Sequence, residues 1–121
     1  MLLYNQNFHF SELNIGAWNI NGIWRNINSF KYNKLNNPDF LEKISKDKIF
    51  GLIETHHTAD QADFLHINGY KCFSLCRPKD KNKKRYKPSG GIAAYVDNSI
   101  AAGVEKISLS GSECIILRIK K

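Results

Sequence analysis

Leu13-Asn14-Ile15-Gly16-Ala17-Trp18-Asn19-Ile20-Asn21-Gly22-Ile23 is an apolar run that climbs to two asparagines at alternate positions and then meets a glycine. A buried strand has this form where its last residues leave the core and present amides to a site. Asn19 and Asn21 are two residues apart, so a strand that persists through both puts them on one face. Gly22 then turns the chain or admits a ligand close to the backbone. Strand-end asparagines are also common turn formers, so the stretch takes its meaning from the segments downstream of it.

Residues 24–37 hold five asparagines, with Ile27, Phe30 and Leu35 only loosely at helical spacing, and read as a frayed helix or an ordered loop. Asn37-Pro38-Asp39 signals a helix start, with Pro38 in the first turn and Asp39 near the positive end of the dipole. Phe40, Leu41 and Ile44 line one face, which predicts a short amphipathic helix over 39–46. Ile49-Phe50-Gly51-Leu52-Ile53 is continuously apolar and predicts a strand buried on both faces, ending at Glu54-Thr55-His56-His57. Strand, helix, strand in that order predicts a crossover unit with parallel neighbours. Ligands gather at the carboxyl ends of such strands, and both Asn19 and Glu54 stand there.

The remainder predicts one or two helical turns over 59–66 and a turn at Asn68-Gly69. Strands follow at 70–76, 92–96, 104–109 and 114–119. The strands at 70–76 and 92–96 flank a lysine-rich segment, which predicts a hairpin with a long basic tip. Residues 1–12 show no clear period and read as a lead-in, leaving 13–121 as one partial domain.

Composition narrows the class. A chain of 121 residues with 42% hydrophobic content is one globular domain at most. No apolar run approaches the roughly 18 residues needed to span a bilayer, and the first ten residues lack the pattern of a secretory signal. Three cysteines cannot complete a set of internal disulfides, which fits a reduced, intracellular compartment. Cys72 and Cys76 lie in an apolar run without a C-x2-C pair, so buried free thiols are a better reading than zinc ligands. Arg77, Lys79, Lys81, Lys83, Lys84, Arg85 and Lys87 face the single acid Asp80, so residues 77–87 carry +6 of the formal net charge of +7. A solvated loop is the simplest reading of a charge run. Concentration of nearly all the net charge beside Tyr86 also fits contact with a polyanion.

Trp18-Asn19-Ile20-Asn21-Gly22-Ile23, then Glu54-Thr55-His56 after a buried strand, then Gly69-Tyr70, then Gly90-Gly91-Ile92-Ala93-Ala94-Tyr95-Val96 form a series. The series resembles the amino-terminal half of the endonuclease/exonuclease/phosphatase family, most nearly the endonuclease domains of non-LTR retrotransposon (LINE-type) reverse transcriptase polyproteins. The resemblance implies an α+β fold: an incomplete deoxyribonuclease-like sandwich with about one mixed sheet and flanking helices. It implies Glu54 as the ligand of Mg2+ (or Mn2+) held against a scissile phosphate, and Asn19 as a catalytic amide ordering metal and phosphate. Such an ion takes carboxylate oxygen, keeps several waters and stabilises charge on a phosphodiester under water attack. Asn21 is a weaker candidate, and His56 and His57 read as loop residues because the family's catalytic histidine lies near its carboxyl terminus.

The chain departs from the family's pattern in two ways. The family usually has glutamine before the metal glutamate, whereas this chain has Ile53, which removes an amide that would steady the carboxylate. A carboxyl-terminal half with a tyrosine, an Asp-x-Asn pair and an Asp-His pair is also expected, beyond the strand ending near Ile119. Without it, the inner apolar face at Ile92, Val96, Ile115 and Leu117 is expected to meet water, and residues 1–121 are expected to be inactive or nearly so alone. DNA is the implied partner, with a reverse transcriptase module in any longer polyprotein and a nuclear location if the chain is expressed. A nucleic-acid-binding remnant without chemistry, resting on the basic loop, and a phosphatase of the same family are the alternatives.

Overall fold

The computed structural model describes the backbone of residues 2–5 together with residues 15–78, 89–107 and 113–120. A mixed four-stranded sheet forms its middle layer, built from β2 (Ile15–Asn19), β5 (Ile49–Ile53), β7 (Ile92–Asp97) and β6 (Tyr70–Leu75), in the order β2-β5-β7-β6. β2 and β5 are parallel, with Asn19 beside Ile53; β7 is antiparallel to both β5 and β6. The crossover from β2 to β5 contains α1 (Pro38–Ile44), as the sequence predicts. Asn37 caps α1 by accepting from the Asp39 and Phe40 amides at 2.9 and 3.3 Å, and Pro38 opens the first turn, where its missing N–H costs nothing.

A second sheet corrects the single-sheet expectation. β1 (Leu2–Asn5), β9 (Ile116–Ile119) and β8 (Val104–Ile107) lie in the order β1-β9-β8, with β1 parallel and β8 antiparallel to β9. The segment read as a lead-in therefore contributes a strand, which its short length and aperiodic sequence conceal. α2 (Asn98–Ala101) carries the chain from β7 to β8. Between the sheets Ile49, Ala94 and Val96 pack against Val104, Ile115, Leu117 and Ile119. Val96, Ile115 and Leu117 are fully buried and Ile92 is partly buried at the groove, so most of the apolar face expected to meet water is covered by the chain's own second sheet.

The opposite face of the middle sheet buries Phe50, Leu52, Ala93 and Tyr95 against Ile20, Ile23, Leu35, Ile44, Leu65 and Ile67. β5 thus feeds both cores, which is why its sequence is continuously apolar. Phe50 stacks on Tyr95 at 4.8 Å and meets Tyr70 edge-on at 5.1 Å. The Tyr95 hydroxyl donates to the Leu65 carbonyl at 2.7 Å, which satisfies the one polar atom of a fully buried ring. The result is a small α+β protein of two packed sheets with few helices, α1 packing on one face of the middle sheet and α2 on the other.

Residues 24–37 are neither a frayed helix nor a loop. β3 (Trp24–Ile27) and β4 (Phe30–Asn33) form an antiparallel hairpin, turned at Asn28 (φ 49°) and Ser29 (φ 68°) and followed by a 3-10 turn over Lys34–Asn36. Left-handed backbone at both turn residues matches the twist of a two-residue hairpin. Serine in place of glycine weakens the sequence signal for it. The turn segment over Ala59–Leu65 is 3-10, and of its residues Leu65 is buried while Phe64 is half exposed and Ala62 is exposed. Asn68-Gly69 turns the chain as predicted, and β6 and β7 form the expected hairpin. Among the described residues no helix is long and apolar enough to cross a membrane.

Candidate active site at the strand ends

Beyond Asn19 and Ile53 the chain leaves regular strand geometry while three segments stay laced together. Gly22 N–H donates to the Glu54 carbonyl at 2.6 Å and Ile23 N–H to the Thr55 carbonyl at 3.0 Å. On the other side Thr55 N–H donates to Gly91 at 3.2 Å and His56 N–H to Gly90 at 2.8 Å. Asn21, Glu54 and His56 all have left-handed backbone, with φ of 48°, 59° and 54°. Asparagine adopts this conformation readily. For glutamate and histidine it is strained by about 1–3 kcal/mol each and persists only where the surroundings over-determine it. The hydrogen bonds on both sides of Glu54-Thr55-His56 supply that constraint.

Gly91, at φ 88°, packs against this turn so closely that a Cβ would collide with Thr55 Oγ1 and lie 3.1 Å from His57 Nδ1. Beneath it Thr55 Oγ1 and His57 Nδ1 share a hydrogen bond of 2.6 Å, and both residues are buried. Burial lowers the His57 pKa below its ordinary value of 6.5, so the ring is neutral near pH 7. His57 lies in the loop expected of it, and there it is buried as part of the packing under the site.

Glu54 projects into an open groove walled by Ile53, Cys76, Arg77, Gly90 and Glu113. Its Oε2 lies 2.9 Å from His56 Nε2. That hydrogen bond is the main cause that holds the Glu54 pKa below 4.5, assisted by the Gly90 N–H and the charges of His56 and Arg77 and opposed by partial burial. Arg77 Nε and Nη2 donate to the two Glu113 oxygens at 2.8 and 3.3 Å, and Nη1 donates to Ser89 Oγ at 3.2 Å. The Glu113 carboxylate is also what chiefly raises the Arg77 pKa. A fixed carboxylate and a fixed guanidinium therefore stand on the walls of one groove.

Asn19 ends β2 beside Ile53, at the strand end adjoining Glu54. Its Oδ1 accepts the Asn21 N–H at 3.1 Å, which closes a local turn. The strand does not persist to Asn21, because that residue is left-handed; the two amides do not share a strand face as expected. Lys79, Lys81, Lys83, Lys84, Arg85 and Lys87 lie outside the described residues, and of the basic segment Arg77 stands in the groove wall.

His56 and Glu113 escaped sequence reasoning as members of this constellation. The pairing of His56 with Glu54 depends on left-handed backbone at both residues, on either side of Thr55, which no periodicity encodes. Glu113 follows Ser110-Gly111-Ser112 with no motif around it. Cys72, Cys76 and Cys114 are free thiols, and burial pushes the Cys72 pKa up to about 11.

Mg2+ in phosphoryl sites is commonly held by one or two carboxylates plus waters and substrate oxygens. An ionised, partly exposed Glu54 beside the Asn19 strand end fits a site of that sparse kind. It does not fit an all-protein cage, since among the described residues no three His, Cys, Asp or Glu side chains converge. Compared with protein-family models, with curated proteins and with solved structures, the chain gives no match.

Proposed function

We propose that this chain carries the metal-glutamate part of a phosphodiester-hydrolysing site of endonuclease/exonuclease/phosphatase type, derived from a DNA-nicking enzyme. The observation that carries the reading is Glu54: an ionised carboxylate on a left-handed residue at the end of the central buried strand, opening into a groove and adjoining the Asn19 strand end. A divalent cation would supply charge neutralisation at the phosphate. Glu54 would hold it with the oxygen left free by His56, while the His56 and Gly90 contacts keep the carboxylate charged and fixed. Asn19 would serve from the neighbouring strand end, and Arg77 on the groove wall would have to exchange its Glu113 partner to take a phosphate.

The same geometry supports weak or absent turnover by residues 1–121. His56 Nε2 is committed to Glu54, and no second carboxylate converges with that pair among the described residues to share a cation. General-base catalysis and positioning contribute orders of magnitude each. Two measurements test the reading. Mn2+ titrated against isotopically labelled protein should broaden the amide signals of Glu54 and its neighbours, and Glu54→Gln should abolish that broadening. Undiminished broadening in Glu54→Gln, or none at residue 54 in the wild type, rejects the metal role. Plasmid nicking with Mg2+ should be at background, and clear nicking that disappears in Glu54→Ala would overturn the claim of weak turnover.

The concentration of charge in residues 77–87 supports a second reading, a nucleic-acid-binding protein without chemistry. Replacing Lys83, Lys84 and Arg85 with alanine should then flatten the salt dependence of DNA binding, and an unchanged slope would leave the segment with a solubilising role alone.

A further inference from the structure

The β3–β4 hairpin has one anchored face and one free face. In the antiparallel register Trp24 stands opposite Asn33 and Asn26 opposite Lys31, whereas Arg25 stands opposite Tyr32 and Ile27 opposite Phe30. Strand alternation puts the first four on one side and the second four on the other. The first side is tied to the body of the protein. Trp24 meets Phe64 edge-on at 5.1 Å, Asn33 Nδ2 donates to the Phe64 carbonyl at 2.8 Å, and Lys31 covers the Trp24 ring.

The second side is open. Phe30 is 66% exposed, Tyr32 51% and Ile27 42%. Between this side and the start of α1 runs a groove lined by Arg25, Ile27, Tyr32, Lys34, Asn37 and Phe40, without an acidic residue. Residues 24–34 contain three cations and three aromatic rings and no Asp or Glu. Lys34 spends its ammonium on the carbonyls of Ile20 (2.6 Å) and Asn21 (3.3 Å), so it ties the groove to the Asn21-Gly22 turn. Burial and then the nearby Arg25 charge lower the Lys34 pKa. Arg25 has no acidic partner among the described residues.

We infer that the free face of the β3–β4 hairpin binds single-stranded nucleic acid, with bases stacked on Tyr32 and Phe30 and a phosphate on Arg25. Exposed rings beside uncompensated cations are what a flexible polyanion with flat, apolar bases requires, because every base offers a stacking face and every linkage a charge. An acidic peptide would use the cations but leave the rings largely idle. A duplex keeps its bases stacked inside and would use only the charge. The surface does not depend on Glu54 or on a metal ion.

The test is fluorescence anisotropy in EDTA with a labelled oligothymidylate of about 12 nucleotides. An abasic deoxyribose-phosphate strand of equal length and a polyglutamate peptide serve as competing probes. The wild type should bind oligothymidylate more tightly than either of these. Phe30→Ala with Tyr32→Ala should weaken oligothymidylate binding by about five- to a hundredfold per ring lost, with little change for the abasic strand. Tyr32→Trp should retain binding, and Arg25→Ala should lower the salt slope by about one. Equal affinity for the abasic strand, preference for polyglutamate, or indifference to both alanine substitutions would each overturn the inference. These side chains are exposed, and unchanged circular dichroism separates lost binding from lost fold.

Discussion

His56 Nε2 lies 2.9 Å from Glu54 Oε2 while both residues hold left-handed backbone, at φ 54° and 59°. The contact is made by the turn, not by the strand, and it leaves the carboxylate with a donor that favours its ionised form. The first expected outcome concerns titration. The Glu54 carboxyl should titrate below 4.5, and His56→Ala should move it back toward that ordinary value. Carboxyl carbon NMR shifts between pH 2 and 7 read both. The lowered pKa stabilises the fold above the unfolded glutamate value, and that stabilisation is lost as pH falls through the folded value. A Glu54 midpoint unaffected by His56→Ala would mean that the hydrogen bond has no hold on the carboxylate.

Gly91→Ala should destabilise the protein by about 2 kcal/mol or more. Its φ of 88° disfavours any side chain, and the added Cβ would collide with Thr55 Oγ1, which has nowhere to retreat because Thr55 is fully buried. Urea denaturation checks this. Gly69→Ala provides the comparison, since Gly69 has the same φ of 88° with no atom within 4 Å of the added Cβ. The excess loss at Gly91 over Gly69 isolates the collision from the backbone cost.

Much of this fold is legible in the sequence because several elements carry matching local and global signals. Asn37-Pro38 caps a helix by side-chain and ring geometry alone, and Ile49–Leu52 is apolar because both faces of β5 are buried there, Ile53 being exposed at its end. The β3–β4 hairpin was hidden because Ile27, Phe30 and Leu35 mimic a helical spacing, while the actual determinant is a pair of left-handed residues at Asn28-Ser29. The second sheet was legible in part: β8 and β9 fall within the strands predicted at 104–109 and 114–119, whereas β1 is four residues long, too short for period-two alternation to stand out, and gains its place only by pairing with β9. At the site, Glu54 and Asn19 were legible as polar residues ending apolar runs. The roles of His56, Gly91 and Glu113 depend on where the chain turns after those runs, which residue spacing does not specify.

Stability should fall on mild acidification because of His57. Burial lowers its folded pKa below the ordinary 6.5, so between those two values only the unfolded chain binds the proton. The contribution is complete above the unfolded value and declines as pH falls toward the folded one, with a slope of at most about 1.4 kcal/mol per pH unit. His57→Asn should remove this component of the slope, whatever it does to stability at pH 7. Urea midpoints measured at pH 7.5, 6.5 and 5.5 for both proteins provide the comparison, and parallel curves would assign the acid sensitivity elsewhere.

Leu117 tests whether the two sheets form a single cooperative core. Leu117 is completely buried, in a cluster that joins Ile49, Ala94 and Val96 of the middle sheet to Val104, Ile115 and Ile119 around it. Leu117→Ala should therefore cost about 2–5 kcal/mol, the range for a leucine removed from a packed interior. If this face were open to water, the same substitution would change stability by no more than about 0.5 kcal/mol, as expected of exposed positions. Phe30→Ala supplies that reference within the same molecule, because its ring is 66% exposed. Loss of the β9 packing should also loosen β5 and β7 by removing one of the two layers that cover them. Amide hydrogen exchange at Phe50, Leu52 and Tyr95 should accelerate in Leu117→Ala although those side chains pack on the opposite face. Acceleration confined to β8 and β9 would instead mean that the outer sheet opens independently of the middle one.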